Sequence, residues 1–244
     1  MRNEGDRGPH VELEWGLHGV EALAERCDHL VLFDVLSFTT CVEVALSRGA
    51  EVLPWRWYNE TAAAFARERG ARLAVRRDDA GPDDLTLAPS TMDRLDSGET
   101  VVLPSPNGAT LSVAARGHAS VWAACLRNAS ATARHLSRLG GTVGLVPAGE
   151  RWPDGSIRFA FEDHVAAGVV AARLRGGVVT PEVVAARGVF EAARGRLPRL
   201  LRECPSGREL IGRGHGDDVT VASELDVSDT LCLLVGDGYL ARVA

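Results

Sequence analysis

The chain has 244 residues, 45% of them hydrophobic, with 27 lysines and arginines against 33 acidic residues and a formal net charge of −6. That composition suits a globular α/β core and excludes a disordered or collagen-like chain. Nucleic acid is not expected as a partner, because no basic tract stands out.

The N-terminal "MRNEGDRGPH" carries no apolar signal core, and no later run is long enough to cross a bilayer. A cytoplasmic protein without membrane contact is therefore expected. Cysteines stand at 27, 41, 125, 204 and 232, with no C-x-x-C pair, so neither a disulfide framework nor a cysteine zinc site is supported.

Short apolar runs alternate with amphipathic stretches, the pattern of an α/β fold. "LVLF" (30–33) reads as a buried strand and 39–48 as a helix stopped by Gly49. Residues 50–55 form a second expected strand, and 59–70 a helix capped by Asn59. The stretch 76–98 is loop-like. Strands follow at 100–105, 119–125 and 142–149, and helices at 107–117, 128–141 and 161–177. A further helix opens at Pro181 after Thr180, and 194–218 is broken into short turns. The end reads as a hairpin turning at Asp237-Gly238. With no low-complexity linker or repeat, residues 1–244 are expected to form a single domain.

Chemistry collects where expected strands end, which is where open α/β sheets hold ligands. "VLFDVLSFTT" (31–40) runs from an apolar strand into Asp34, then Ser37, Thr39 and Thr40. A carboxylate there suits a hard cation with oxygen ligands, or it caps the next helix. The aspartyl-phosphate pattern D-x-D-x-[TV] is excluded, because Leu36 stands at the second acid position. "SPNGAT" offers Ser105, Asn107 and Gly108 at a helix start, a site suited to an anion. "RNAS" offers Arg127, able to grip an oxyanion through two bonds, and Asn128. The segment 148–163 adds Glu150, Arg151 and Arg158 on a loop, with Glu162 and Asp163 in the first turn of a helix.

The order and spacing of "DVLSFTT", "SPNGAT", "RNAS" and "AGE…FEDHVAAG", with "LCLLVGDG" near the end, make the chain resemble the 2-phosphosulfolactate phosphatase (ComB) family. The resemblance implies a three-layer α/β/α fold around a mixed sheet and Mg2+-dependent hydrolysis of a phosphate monoester of a small sulfonated hydroxy acid, the chemistry of coenzyme M biosynthesis. It implies Asp34, Glu162 and Asp163 as metal-site residues, with the SPNG and RN segments facing the substrate. Asp34, Glu150 and Asp163 are then the candidate catalytic acids. Ser37, Thr39, Thr40, Ser105, Asn107, Gly108, Arg127, Asn128, Arg151 and Arg158 are the candidate substrate-binding residues. Ser37 stands where many members carry arginine, and Pro147 precedes "AG" where they carry cysteine, so the substrate's second anionic group is expected to meet a different grip, such as Arg127, Arg151 or Arg158, or to be absent. Alternatives are a hydrolase or lyase for another small anionic metabolite, or a non-catalytic anion-binding protein. A homo-oligomer is compatible with the sequence.

Overall fold

A computed structural model describes residues 9–242. Strand β1 (His10–Leu13), helix α1 (Gly16–Leu23) and strand β2 (His29–Phe33) lead into α2 (Phe38–Ser47), β3 (Glu51–Trp55) and α3 (Glu60–Glu68). A short β4 (Arg72–Leu73) and one-turn α4 (Pro89–Met92) precede β5 (Thr100–Pro104), α5 (Gly108–Ala115), β6 (Ser120–Ala123), α6 (Ala129–Leu139) and β7 (Thr142–Pro147). A small hairpin, β8 (Glu150–Arg151) with β9 (Ile157–Arg158), comes before α7 (Phe161–Arg173) and α8 (Pro181–Ala193). Then α9 (Leu197–Glu203), α10 (Pro205–Gly212) and α11 (Gly216–Ala222) lead to the closing strands β10 (Leu231–Val235) and β11 (Gly238–Arg242). Among the described residues, no helix is long and apolar enough to cross a membrane.

The expected mixed sheet is present, with strand order β1-β7-β2-β6-β10-β11-β3-β5-β4. β1, β7, β2 and β6 are mutually parallel, as are β3, β5 and β4. The C-terminal hairpin bridges these blocks, pairing antiparallel with β6 on one side and β3 on the other. The two parallel blocks therefore run in opposite directions.

Strand periodicity sorts the core. On β2, Leu30 and Leu32 point into a layer with Val20 and Leu23 of α1 and Leu111 of α5. Val31 and Phe33 point the other way, against Leu136 of α6 and Val165 and Val169 of α7. β7 repeats the alternation, with Val143 and Leu145 on the α7 side and Val146 on the α1 side. Gly144 of β7 sits under α1, where a Cβ would lie 2.8 Å from Leu30 Cδ2. α2 is buried along nearly its whole length, packing Phe38, Val42 and Leu46 against Val52, Leu103 and Tyr239.

Several elements differ from the sequence reading. β1 and α1 lie in a stretch the sequence reading left unassigned; β1 earns its place by pairing with β7 at long range. The closing turn is Gly236-Asp237, one residue earlier than expected, because Val235 pairs with Gly238 and Gly236 adopts φ 57°. Asn59 caps α3 as expected, its side chain accepting from Ala62 N. Asn107 and Asn128 precede helices without capping them through their side chains.

Helices α7 and α8 approach so closely at Gly168 that a Cβ would stand 2.1 Å from the Ala186 carbonyl oxygen. Alanine is favoured over glycine inside a helix by about 1 kcal/mol, but forcing backbone apart costs about 1–3 kcal/mol. Gly168→Ala should therefore destabilise the protein by up to about 2 kcal/mol, read as a lower denaturation midpoint. A raised midpoint would show that helix propensity, not contact, decides at this position.

Candidate functional site

The site forms where the ends of β2, β5 and β7 meet the start of α7. Asp34, the first residue beyond β2, is 7% exposed. Its Oδ2 accepts hydrogen bonds from Gly108 N at 2.6 Å and Ser105 Oγ at 3.4 Å, and its Oδ1 accepts from Phe38 N at 3.3 Å. The carboxylate thus sits on the N-terminus of α5, a favourable place for negative charge. A Cβ on Gly108 would lie 2.7 Å from Asp34 Oδ2 and 2.4 Å from Phe38 Cδ1, so only glycine allows this approach.

The hydroxyls after Asp34 hold the loop. Thr39 Oγ1 accepts from Asp34 N at 3.1 Å, and Thr40 Oγ1 donates to Val35 O at 2.7 Å. Both threonines are fully buried, so they shape the turn that carries Asp34. Asp163 does the same from the other side: its Oδ1 accepts from Val35 N at 2.8 Å and its Oδ2 from Gly149 N at 3.0 Å. One carboxylate thereby ties the β2 end to the β7 end.

Glu162 and Glu150 complete the cluster. Glu162 is 1% exposed and its Oε2 is buried with no hydrogen-bond partner among the described residues. Glu150 Oε2 accepts from Asn107 Nδ2 at 3.1 Å. None of Asp34, Glu150, Glu162 and Asp163 has an ion-pair partner among the described residues. Other buried acids do: Asp218 meets Arg77 at 2.7 Å and Glu43 meets Arg127 at 2.5 Å. Burial, reinforced by the Glu162 charge, raises the Asp34 carboxyl to about 6. Burial, then the charges of Asp34 and Glu162, raises Glu150 to about 7. Burial, with Glu162 and Asp34 adding to it, holds Asp163 well above the usual carboxylate range.

Other expected residues lie elsewhere. Arg127 is spent on Glu43 and Glu224. Asn128 is fully buried, its Oδ1 accepting from Cys125 N and its Nδ2 donating to Thr230 O, so it fastens the β6–α6 loop to the C-terminal strand. Arg158 is held by two bonds to Glu209, at 2.8 and 3.3 Å. Arg151 stands exposed beside a cavity of about 390 Å³ that Asn107, Glu150, Trp15, Leu111 and Ile157 also line. The α5 amides, expected to face an anion, are partly committed: Gly108 N to Asp34 and Asn107 N to Ser105 Oγ.

Arg77 escaped the sequence reading. Its Nη2 donates to Ser37 Oγ at 3.3 Å and to the Leu87 carbonyl, and its Nη1 to Asp218 Oδ2. Nothing local in "AVRRDDAG" marks this, since its partners lie 40 and 141 residues away in sequence. Among the described residues, no preformed cluster of three or more acid, histidine or cysteine side chains is poised to grip a metal alone.

The raised acids make stability depend on pH with a definite sign. An acid whose folded pKa exceeds its unfolded value of 3.8 or 4.5 binds protons more tightly when folded. Its unfavourable contribution grows as pH rises from about 4 through about 7, the group titrating together. In a chelator, the melting temperature should fall between pH 5 and pH 8, and Glu150→Gln should flatten the upper part of that fall. A rising melting temperature across this interval would contradict the cluster.

The chain is similar in sequence to known proteins over most of its length. The sequence signature described as 2-phosphosulpholactate phosphatase matches residues 19–237. A protein of Thermotoga petrophila named "Probable 2-phosphosulfolactate phosphatase" is 28% identical over 220 residues, covering 88% of this chain and 93% of its own. Proteins of the same name from Gloeobacter violaceus and Symbiobacterium thermophilum are 28% and 30% identical, covering 88% and 80% of this chain and 92% and 86% of theirs. The chain belongs to the 2-phosphosulpholactate phosphatase family and is a phosphoric monoester hydrolase.

Proposed function

We propose that the protein hydrolyses a phosphate monoester of a small anionic hydroxy acid, of the 2-phosphosulfolactate kind, at the Asp34–Glu150–Glu162 cluster with Mg2+ as cofactor. The observation that carries this reading is the buried Glu162 Oε2, without a hydrogen-bond partner among the described residues, beside acids that form no ion pair among them. Leaving such a group unpaired costs several kcal/mol, and an all-oxygen donor set suits a hard divalent ion. Asp34 and Glu162 are the residues that would hold it. Two carboxylates suffice, because Mg2+ keeps several of its waters. When bound, the ion supplies electrostatic stabilisation to the phosphoryl oxygens.

The protein's own groups divide the remaining work. Asp163, with both oxygens accepting backbone amides, positions the Asp34 loop against the β7 end; it acts through others instead of reacting. Asn107 orients Glu150 through the 3.1 Å bond. Glu150, whose carboxyl titrates near neutral pH, takes a proton from the attacking water and returns one to the departing alkoxide. The water oxygen bonds to phosphorus as the ester P–O bond breaks. The exposed Arg151 lies beside the adjoining cavity, where the organic part of the ester can enter.

Glu162→Gln tests the reading without changing shape. It should lower phosphate release by about two orders of magnitude and weaken dependence on added Mg2+. In chelator, the melting temperature should hold or rise, because a buried uncompensated charge is gone. A variant with near-normal turnover and unchanged cation dependence would remove Glu162 from the centre.

A further inference from the structure

Glu150 lines two cavities, the larger one described above and a smaller one of about 210 Å³. The smaller is walled by Leu36, Glu150, Ser206, Glu209, Leu210 and Arg213. Four of these belong to one stripe along α10 and its end, at i, i+3, i+4 and i+7. It adjoins the Asp34 loop through Leu36 and the catalytic cluster through Glu150. Its size admits a small group, not a nucleotide or a chain.

The chemistry of this wall favours an anion. Ser206, in the first turn of α10, is 5% exposed, and its hydroxyl has no hydrogen-bond partner among the described residues although it lines the cavity. A hydroxyl that faces a cavity with its donor uncommitted can give a hydrogen bond to a group bound there. The α10 N-terminus adds its positive end of the dipole. Glu209, between Ser206 and Arg213, is neutralised by its two bonds to Arg158. Arg213 makes no ion pair among the described residues, whereas Arg77, Arg127 and Arg158 are all committed to acids.

We propose that this chamber receives an acidic substituent, sulfonate or carboxylate, on the alcohol portion of the substrate, with Arg213 supplying the charge and Ser206 a hydrogen bond. The proposal rests on the phosphatase reading above and deepens it. An ester lying across Glu150 places its phosphoryl group at Asp34 and Glu162 and its second anion against α10. That group meets a cation here, not at Ser37, Arg127 or Arg158.

The test compares wild type, Arg213→Gln and Ser206→Ala on two esters, 2-phosphosulfolactate and ethyl phosphate, the latter lacking a second acid. Arg213→Gln should raise KM for 2-phosphosulfolactate about tenfold or more while kcat stays within about twofold, and leave kcat/KM for ethyl phosphate nearly unchanged. Ser206→Ala should move the same ratio in the same direction by about threefold. A merely structural role would depress both esters together, and an unchanged ratio in both variants overturns the subsite. Calorimetric titration of wild type and Arg213→Gln with sulfolactate gives a readout that needs no turnover. If wild type releases phosphate from neither ester, the substrate reading fails by itself, and the subsite stands or falls on whether Arg213→Gln weakens sulfolactate binding.

Discussion

The structure depends on one unbalanced electrostatic arrangement: carboxylates gathered in a dry junction without a cation. Asp34, Glu162 and Asp163 are almost wholly buried; burial raises the proton affinity of Asp34 and of Asp163, the Glu162 charge adding to both and the Asp34 charge to Asp163. The fold tolerates this because backbone amides are aimed at the acids. Gly108, Phe38, Val35 and Gly149 each donate to an Asp34 or Asp163 oxygen. Glu162 Oε2 is buried without a hydrogen-bond partner among the described residues. Amides hold the cluster in place but do not neutralise it.

The opposed strand blocks explain how these groups meet. Asp34 follows β2 and Ser105 follows β5, and those strands belong to blocks running in opposite directions. In a flat sheet their C-terminal ends would lie at opposite edges. Strand twist of roughly 20–25° per neighbouring pair accumulates over the intervening strands to more than a right angle. The Asp34–Gly108 and Asp34–Ser105 hydrogen bonds close across that curl. The C-terminal hairpin is thus more than a terminal embellishment. It reverses direction between the blocks, and its Tyr239 anchors α5 through a 2.8 Å bond between its hydroxyl and Ser112 Oγ.

What could be read from residues alone followed the range of the forces involved. Period-2 and period-3.6 patterns identified β2, α2, α3, α5, α6 and α7, because burial of one face is encoded locally. Asp34, Glu150 and Glu162 were legible as acids at strand-to-helix junctions. Asn128 and Arg127 are committed to internal bonds, since an amide and a guanidinium at such a junction serve equally well as fasteners. Here Asn128 bonds the Thr230 carbonyl, 102 residues on, and Arg127 bonds Glu43, 84 residues back. Thr39 and Thr40, expected to face the substrate, are fully buried and brace the loop that carries Asp34. Arg77 and Arg213 were invisible because long-range contact and the wall of a cavity have no local periodicity.

Ser37 and Arg77 are best understood as a matched pair. Arg77 is braced by the buried Asp218, which also accepts from Ser90 Oγ at 2.8 Å. Its remaining Nη2 reaches the Leu87 carbonyl and the Ser37 hydroxyl. An arginine at 37 would set a second guanidinium against this one in a place where Ser37 is only 3% exposed, and like charges there repel strongly. The serine therefore belongs with a cation delivered from the 77 loop, already saturated by protein acceptors. The positive charge next to the Asp34 loop is thus built into the scaffold behind it. On the function proposed above, a second anion of the substrate would meet a cation elsewhere on the rim, and Arg213 on the α10 face stands beside a cavity with no ion pair among the described residues.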